Sequence, residues 1–441
     1  TELIKQKKQI PERLYSNRKL AALLIPLALD QLLNSFMGTI DTLVVSNLGS
    51  AAISAVSLVD AINILIVQAF FALASGGTVV CSHYLGCKNE KSAKEAARQL
   101  VFITLLLSVI IAGVCLVFNQ QLLHLIFGKV EKDVMVGAKQ YFFYSVLSYP
   151  FIALYNDGSC ILRAQNNSRF PMQISIASNF LNAFLDVIFV WVFHWGVAGS
   201  AIATAGSRFF SMSIVLWKLR NPSLEIPFRD YFSIRPNWRE IKKILNIGIP
   251  SGIENSMFQL GKLAIQSTVS TLGTAAIAAQ AMTNILENLN GIAAIGVGVG
   301  LMTIVGQCLG AGRQDEAVYY IKKLCVIAEV IIIISCLGVF ALTKPITILG
   351  GMEKVSADMC FHMVMWITIV KPIAWTMAFI PGYGLRAGGD VKFSMITSCC
   401  TMWACRFCLC VFLIRKLGFG PMGVWIGMFA DWTVRSIIFT W

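Results

Sequence analysis

The chain has 441 residues, of which 56% are hydrophobic and only 13% are charged, and its mean hydropathy is +0.70. Soluble globular proteins carry about 25% charged residues, so this composition excludes a soluble chain with polar domain surfaces, and it excludes disorder as well. The formal net charge of +13 would suggest nucleic acid binding on a soluble chain. The composition instead indicates a protein whose surroundings are lipid.

Long stretches almost free of charge predict membrane-spanning helices. Residues 99–128 contain no Asp, Glu, Lys or Arg, and residues 170–207 contain only Asp186. A spanning helix needs about 20 mostly apolar residues, and a helix satisfies the backbone polar groups that lipid cannot. We therefore expect an all-α polytopic membrane protein with twelve transmembrane helices. They are predicted at residues 20–46, 51–78, 99–118, 137–158, 170–193, 197–217, 244–271, 275–307, 322–342, 360–382, 393–414 and 421–440.

The distribution of Lys and Arg gives the orientation. Most of them fall in the basic, amphipathic segment 1–19 and in the even-numbered loops. Because cytoplasmic loops are enriched in Lys and Arg, this asymmetry places both termini in the cytoplasm of a multi-pass protein of the cell membrane. The basic excess is then an orientation signal, and no nucleic acid partner is expected.

An internal repeat divides the chain. A shift of 224 residues places Pro26 on Pro250 and residues 48–55 on residues 272–279. Each half therefore has six spans, and an even number keeps both halves in the same orientation. We expect two pseudo-symmetric six-helix lobes with a substrate cleft between them that opens to one side at a time. The predicted domains are the N-terminus 1–19, the N-lobe 20–217, the cytoplasmic linker 218–243 and the C-lobe 244–441.

Acidic residues of the first half form the clearest candidate site. Counted along their spans, Asp41, Asp186 and Thr204 lie at similar depth in the outer half of the bilayer, and Asn182 shares the helical face of Asp186. Such a group can hold a proton on a buried carboxyl, or it can coordinate Na⁺ through oxygens. A hydrogen-bonded clamp between helices without a role in transport is the structural alternative.

The second half contains charges of both signs near mid-depth, namely Glu254, Lys262, Glu287, Lys371 and Arg406. Mutual neutralisation by salt bridges is the favoured interpretation, because isolated charges in lipid are costly. The alternative is that a carboxylate remains free to meet a cationic substrate. Candidate residues of the substrate cleft are Asp60, Asn63, Glu254, Gln259 and Glu287.

Neither an enzyme nor a cofactor site is indicated. The thirteen Cys are mostly within spans, where small buried residues serve helix contacts better than they serve disulfides or a metal centre. The four His lie near span ends, without a nucleophile–base pair beside them. Apart from H⁺, or Na⁺ at Asp41 and Asp186, we expect no bound metal and no catalytic residue.

Several motifs resemble the multidrug and toxic compound extrusion (MATE) transporters over essentially the whole chain. The segments that carry the resemblance are MGTIDT at 37–42 with Leu48, Gly49 and Ala55, LRAQ at 162–165, NAFLDVIF at 182–189, GVAGSAIAT at 196–204 and LRAGGD at 385–390. The resemblance implies the MATE fold and export of organic, often cationic, compounds against inward H⁺ or Na⁺. The first half is similar to the DinF-type branch, whose cation site maps onto Asp41, Asn182, Asp186 and Thr204. A bent first helix, which Pro26 would allow, belongs to the same picture.

The second half departs from the NorM-type branch, because Gln259 and Lys371 occupy positions where that branch has acidic residues. The predicted function is a cation-coupled efflux antiporter that acts as a monomer among membrane lipids on a small cationic or amphipathic organic substrate. The main alternative is a flippase for lipid-linked precursors or polysaccharides, which the acidic first half disfavours. A passive channel is the remaining possibility, and accumulation against a gradient distinguishes it.

Overall fold

The computed structural model describes residues 12–128, 130–224, 226–227 and 234–441, without the side chains of residues 37–39 and 42. The predicted amphipathic N-terminus therefore lies largely outside the described residues, as do residue 225 and residues 228–233 of the predicted linker. The described part is helical, with no strand in it. The α-helices are α1 (Asn17–Ser46), α2 (Ser50–Gly86), α3 (Glu90–Val117), α4 (Asn119–Phe127), α5 (Lys132–Leu147), α6 (Tyr149–Ala164), α7 (Arg169–Asp186), α8 (Val197–Leu219), α9 (Trp238–Val269), α10 (Thr274–Gly310), α11 (Gln314–Leu349), α12 (Lys354–Ala387), α13 (Val391–Thr401), α14 (Leu409–Arg415) and α15 (Met422–Thr440).

Each predicted span coincides with a helix or with a pair of consecutive helices. The fourth span is α5 and α6, which are interrupted at Ser148, because Pro150 in the first turn of α6 cannot donate a backbone hydrogen bond. The fifth span continues from α7 into a π-helix at Val187–Val192, and the eleventh contains another at Met402–Cys408. The short helix α4 lies in a region predicted to be a loop.

Eight of the described helical segments are long and apolar enough to cross a membrane on length and composition alone. The other four predicted spans fall on α5 with α6, on α8, on α9 and on α15. Helices α5 and α6 are each only 16 residues long, and α8, α9 and α15 contain charges, such as Arg208, Lys262 and Asp431, which lower their hydropathy.

The first helix packs across the boundary between the two halves of the chain. Leu20, Leu23, Leu24 and Leu27 recur at helical spacing along α1 and are buried against α10 and α11, in one core with Leu301 and others. The C-terminal part of α1 instead contacts α7. A single helix thus bridges the core of the second half and the acidic site of the first.

The two halves approach most closely at the end predicted to be cytoplasmic. A Cβ added at Gly310 would lie 2.1 Å from the carbonyl oxygen of His83, so only glycine permits this contact between α10 and α2. Gln307 donates to the carbonyl of Ala164 at 2.7 Å and accepts from the hydroxyl of Tyr15 at 2.6 Å. Within the described ranges, the hydrogen bonds that join the halves all lie toward this end.

Candidate functional site

Asp41 and Asp186 lie together where α1 meets α7. The Asn182 side chain donates a hydrogen bond to Asp41 Oδ1 at 2.7 Å. Asp186 lies one turn further along α7 and is fully buried, with Asp41 and Ser200 as its polar neighbours. Neither Asp186 oxygen accepts a hydrogen bond of normal geometry from the described residues. The pair therefore offers carboxylate oxygens that a proton or a cation could satisfy.

The backbone changes its helical period directly after this acid. Helix α7 ends at Asp186, and the π-helix Val187–Val192 follows. The π pattern widens each turn and changes the face that later residues present. Gly199 lies against the backbone of Phe189, where an added Cβ would meet the carbonyl oxygen at 3.0 Å, so α8 can approach the acidic pair.

Thr204 makes a different contact from the one its position suggested. Its hydroxyl donates to the carbonyl of Ser200 at 3.1 Å, within its own helix. One turn further along, Ser207 bonds to Asn182 Oδ1 at 3.4 Å and to the carbonyl of Ala203 at 2.9 Å. Ser200 and Ser207 were not singled out from the sequence, although the first lies in the GVAGSAIAT motif and both flank Thr204 by about one turn.

A second acidic group of the first half surrounds Asp60 on α2. It accepts from the Tyr141 hydroxyl at 3.0 Å and from Asn63 at 3.4 Å, and the Tyr149 hydroxyl donates to Asn63 at 2.7 Å. Arg208 donates to the Ser148 hydroxyl at 2.7 Å, at the break between α5 and α6, and interacts electrostatically with Asp60 and Asp41. Together, the Asp41–Asp186 pair and the Asp60 group contain three carboxyl groups, those of Asp41, Asp60 and Asp186, with the guanidinium of Arg208 near them.

A polar seam continues from the acidic pair along α1 and α7. Asn34 accepts from Ser175 at 2.9 Å and from Asn179 at 3.0 Å, and it donates to Asp30 at 3.2 Å. Asp30 in turn forms a buried ion pair with Arg163 of α6 at 3.0 Å. Polar side chains thus extend from the level of Asp41 toward the end at which the halves are joined.

Pro26 lies within α1 and is buried. Because proline has no N–H, the carbonyl of Ala22 lacks its usual partner four residues later. The Ser168 hydroxyl approaches this carbonyl at 3.5 Å and donates to the carbonyl of Leu23 at 2.6 Å. A side chain from the start of α7 therefore satisfies the interrupted part of α1.

Replacing Ser168 by Ala is expected to lower the free energy of unfolding by about 1–3 kcal/mol, because it removes the hydrogen bond to the Leu23 carbonyl and leaves the Ala22 carbonyl without a donor. Pro26→Ala supplies an N–H opposite Ala22, so the serine change is expected to cost less in that background. Unfolding of the four proteins in one detergent measures this coupling. Ser213→Ala is the control, since that hydroxyl is exposed and bonds only within its own helix. Additive costs would show that Ser168 does not serve the proline break.

The charges of the second half are mostly paired. Lys371 is almost fully buried and forms an ion pair with Glu287 at 2.8 Å, with Asn290 as a further partner. Glu254 pairs with Arg386 at 3.0 Å and accepts from Ser398 at 2.8 Å. The two cleft glutamates predicted from sequence are thus each neutralised by a basic side chain, as the salt-bridge interpretation expected.

Arg406 pairs with an acid of the last span and not with Glu254 or Glu287. It lies on the π-helix Met402–Cys408 at 3.0 Å from Asp431, whose other oxygen is 3.1 Å from Arg435. Lys262 lies on α9 and is solvent-accessible, as Gln259 is in part. No carboxylate of the described residues forms an ion pair with Lys262.

One buried acid was missed by the sequence reading. Asp157 of α6 is fully buried, has Thr104 as its polar neighbour, and has no hydrogen bond of normal geometry to the described residues. It lies within the predicted span 137–158, so its position in a span was the available signal.

Comparison with known proteins gives the family. The MatE family model matches residues 26–188 and 250–412, and the two matched segments are offset by 224 residues at both ends, the same shift as the internal repeat. The chain is 25% identical to "Probable multidrug resistance protein NorM" of Thermotoga maritima, over 98% of this chain and 92% of that protein. It is also 25% identical to "Probable multidrug resistance protein YoeA" of Bacillus subtilis, over 99% of this chain and 94% of that protein.

The fold agrees with solved structures. A multidrug resistance MATE transporter in an outward-facing conformation superposes with a TM-score of 0.89 at 18% identity, covering 95% of this chain and 93% of that one. The all-α MATE fold predicted from the sequence is therefore confirmed, whereas assignment to the DinF-type branch stays a prediction. Since the family model matches well over half of its length, the chain belongs to the MatE family, the multidrug and toxic compound extrusion transporters, and it is a membrane transporter and not an enzyme.

Proposed function

We propose that this protein exports small organic compounds across the cell membrane in exchange for inward H⁺ or Na⁺. The observation that carries the proposal is the acidic pair of Asp41 and Asp186 with Asn182, in which the buried Asp186 oxygens have no hydrogen-bond donor of normal geometry among the described residues. A buried carboxylate without a partner is costly, and binding of a proton or of Na⁺ removes that cost. The pair is thus suited to bind and release a coupling ion.

The exchange requires two states of the protein, and the proposed units are the N-lobe 20–217 and the C-lobe 244–441, joined by the linker 218–243. The close contacts between the halves at the end predicted to be cytoplasmic support a closed inner side in the present conformation. An ion that enters from outside would neutralise the acidic pair and change the packing of α1 against α7. Only an ion or substrate that binds the two states unequally can drive the cycle.

The polar seam supports a route for the ion toward the cytoplasm. It leads from Asn34 and its partners to the ion pair of Asp30 with Arg163, on the same two helices that hold the coupling pair. Ser168 at Pro26 provides the point where α1 could bend during the exchange. Both features belong to the first half, which agrees with coupling in that half.

The test uses everted membrane vesicles and proteoliposomes containing the purified protein, with a panel of rhodamine 6G, ethidium and carboxyfluorescein. We expect at least one dye to accumulate against its gradient when the lumen is acidic or Na⁺-loaded, and dye addition to collapse the driving gradient. Collapse of the proton gradient without Na⁺ would identify H⁺ as the coupling ion, and dependence on Na⁺ would identify Na⁺. Equal dye movement with and without either gradient would contradict an antiporter, as would translocation of a fluorescent lipid alone.

A further inference from the structure

The membrane-embedded part of the second half carries more basic than acidic charge around Lys262. The neighbours that act on it electrostatically are Glu287, Arg406 and Lys371, one acid and two bases. Glu287 already forms its ion pair with Lys371 at 2.8 Å, and Arg406 is held by Asp431 at 3.0 Å. The ammonium of Lys262 therefore lacks a carboxylate of its own among the described residues.

Lys262 faces other elements of the second half. Its three electrostatic neighbours come from α10, from the π-helix Met402–Cys408 and from α12, and the Phe258 ring lies 4.8 Å from Lys262 Nζ and 4.9 Å from the guanidinium of Arg406. The residue is nevertheless solvent-accessible. Helices α9 and α10 touch each other only slightly. The accessible space bounded by Lys262, Phe258 and Arg406 is termed the Lys262 pocket.

Aromatic rings adjoin the ammonium. The Nζ atom of Lys262 lies 4.8 Å from the ring centroid of Phe258, one turn earlier on α9. Phe258 makes an edge-to-face contact with Phe379 at 6.5 Å, and the guanidinium of Arg406 lies 4.9 Å from the Phe258 ring. A cationic group beside aromatic faces can bind an anion through the charge and an apolar ring through stacking.

Resting on the proposed export function, we propose that this Lys262 pocket binds the acidic group of an amphipathic organic anion, with the aromatic part of the substrate against Phe258. A cationic substrate is disfavoured here, because the adjacent carboxylates are neutralised and the uncompensated charge is positive. The site narrows the expected substrate class to amphipathic compounds with an acidic group. The carboxyl groups of Asp41, Asp60 and Asp186 in the first half remain available to the coupling ion.

The experiment measures binding of carboxyfluorescein, an anionic aromatic dye, and of rhodamine 6G, a cationic dye of the same ring type, to the purified protein by fluorescence polarisation. Lys262→Gln is expected to weaken carboxyfluorescein binding at least about tenfold, because a charge-assisted hydrogen bond is lost. Lys262→Arg keeps the charge and is expected to stay within about threefold. Rhodamine 6G binding should not weaken in either variant.

Lys344→Gln is the matched control. Lys344 is also an accessible lysine, 4.8 Å from the ring centroid of Phe361, but it lies near the end of α11 and has no place in the pocket. We expect this variant to bind carboxyfluorescein like the wild type. Unchanged binding in Lys262→Gln, or equal losses in Lys262→Gln and Lys344→Gln, would overturn the proposal.

The outcome is separable from that of the proposed function. Lys262-dependent binding of carboxyfluorescein without gradient-driven transport of any dye would support the pocket and contradict the antiporter. Gradient-driven transport of rhodamine 6G without Lys262-dependent binding of carboxyfluorescein would support the antiporter and contradict the pocket. Thermal unfolding of the Gln and Arg variants in the same detergent shows whether they are folded, and the Arg variant tests the charge if the Gln variant is not.

Discussion

The variant Asp41→Asn is expected to lose gradient-driven export by at least about 100-fold while it keeps its fold. Asparagine preserves the size of the side chain and can still accept the hydrogen bond that Asn182 donates at 2.7 Å. It cannot take up a proton or contribute a charged ligand to Na⁺. The pair with Asp186 therefore loses a carboxyl group that would bind the coupling ion. Dye accumulation in vesicles, driven by the ion that the wild type uses, measures the loss.

The unfolding temperature of Asp41→Asn is an independent test of the role of this carboxyl group. Two neighbouring carboxyl groups repel each other when both are charged, so replacing one by an amide is expected to leave the unfolding temperature unchanged or to raise it. Asp186→Asn and the double variant are expected to show the same transport defect as Asp41→Asn, because the effects of substitutions do not add when the residues act as one unit. Asp315→Asn, at an exposed position in the first turn of α11, is the control with normal transport.

Full export by Asp41→Asn under the same gradient would contradict coupling at this pair. In that case the polar contacts of Asp41 would serve only to hold α1 against α7. Loss of transport together with a large loss of stability would equally argue for a structural role, since the amide would then have disrupted packing. The combination of lost coupling and retained stability is the result that the structure predicts.

The helices were predictable from sequence because lipid imposes long apolar segments on every span. The interruptions were less predictable. Pro150 signalled the break at Ser148, but the π-helix after Asp186 depends on how α7 packs against α8, where Gly199 meets Phe189. Spacing along one helix cannot give such contacts, because they are decided by the neighbouring helix.

The site was predictable to the level of helix faces. Asn182 and Asp186 share a face at spacing i, i+4, and α1 does bring Asp41 to them. Equal depth was not enough for Thr204, whose hydroxyl bonds within α8. Depth estimates fix a height in the bilayer but not the hydrogen-bond partner of a side chain, so the role of Thr204 at this site stays a prediction.

The ion-pair partners of the charged residues in the second half were also only partly predictable from the sequence. The sequence indicated mutual neutralisation, and the structure pairs Glu287 with Lys371, but Glu254 pairs with Arg386 and Arg406 with Asp431. Only the contact between Asp431 and Arg435, four residues apart, could be read from spacing. Packing alone decides which charge has no ion-pair partner among the described residues, and that charge is Lys262.

Substituting Asn for Asp431 is expected to have the largest effect on stability of any single charge removal in the second half. The carboxylate is fully buried, and its two oxygens lie 3.0 Å from Arg406 and 3.1 Å from Arg435, which are themselves buried. Asparagine would leave two buried guanidinium groups without a counter-charge, because Glu254 and Glu287 are already paired. Removing one partner of a buried ion pair costs about 3–5 kcal/mol.

Unfolding in mixed micelles measures this loss, and a second substitution identifies its cause. Arg406→Met in the Asp431→Asn background removes one stranded cation, so we expect the double variant to recover part of the lost free energy. Lys392→Gln is the surface control: this exposed lysine near the start of α13 forms no ion pair with the described residues, and its removal should cost less than about 1 kcal/mol. Equal stability of Asp431→Asn and the wild type would show that the arginines do not depend on this carboxylate. If the double variant is no more stable than Asp431→Asn, the loss is due to packing. Removal of an unpaired buried charge would have to raise the free energy of unfolding.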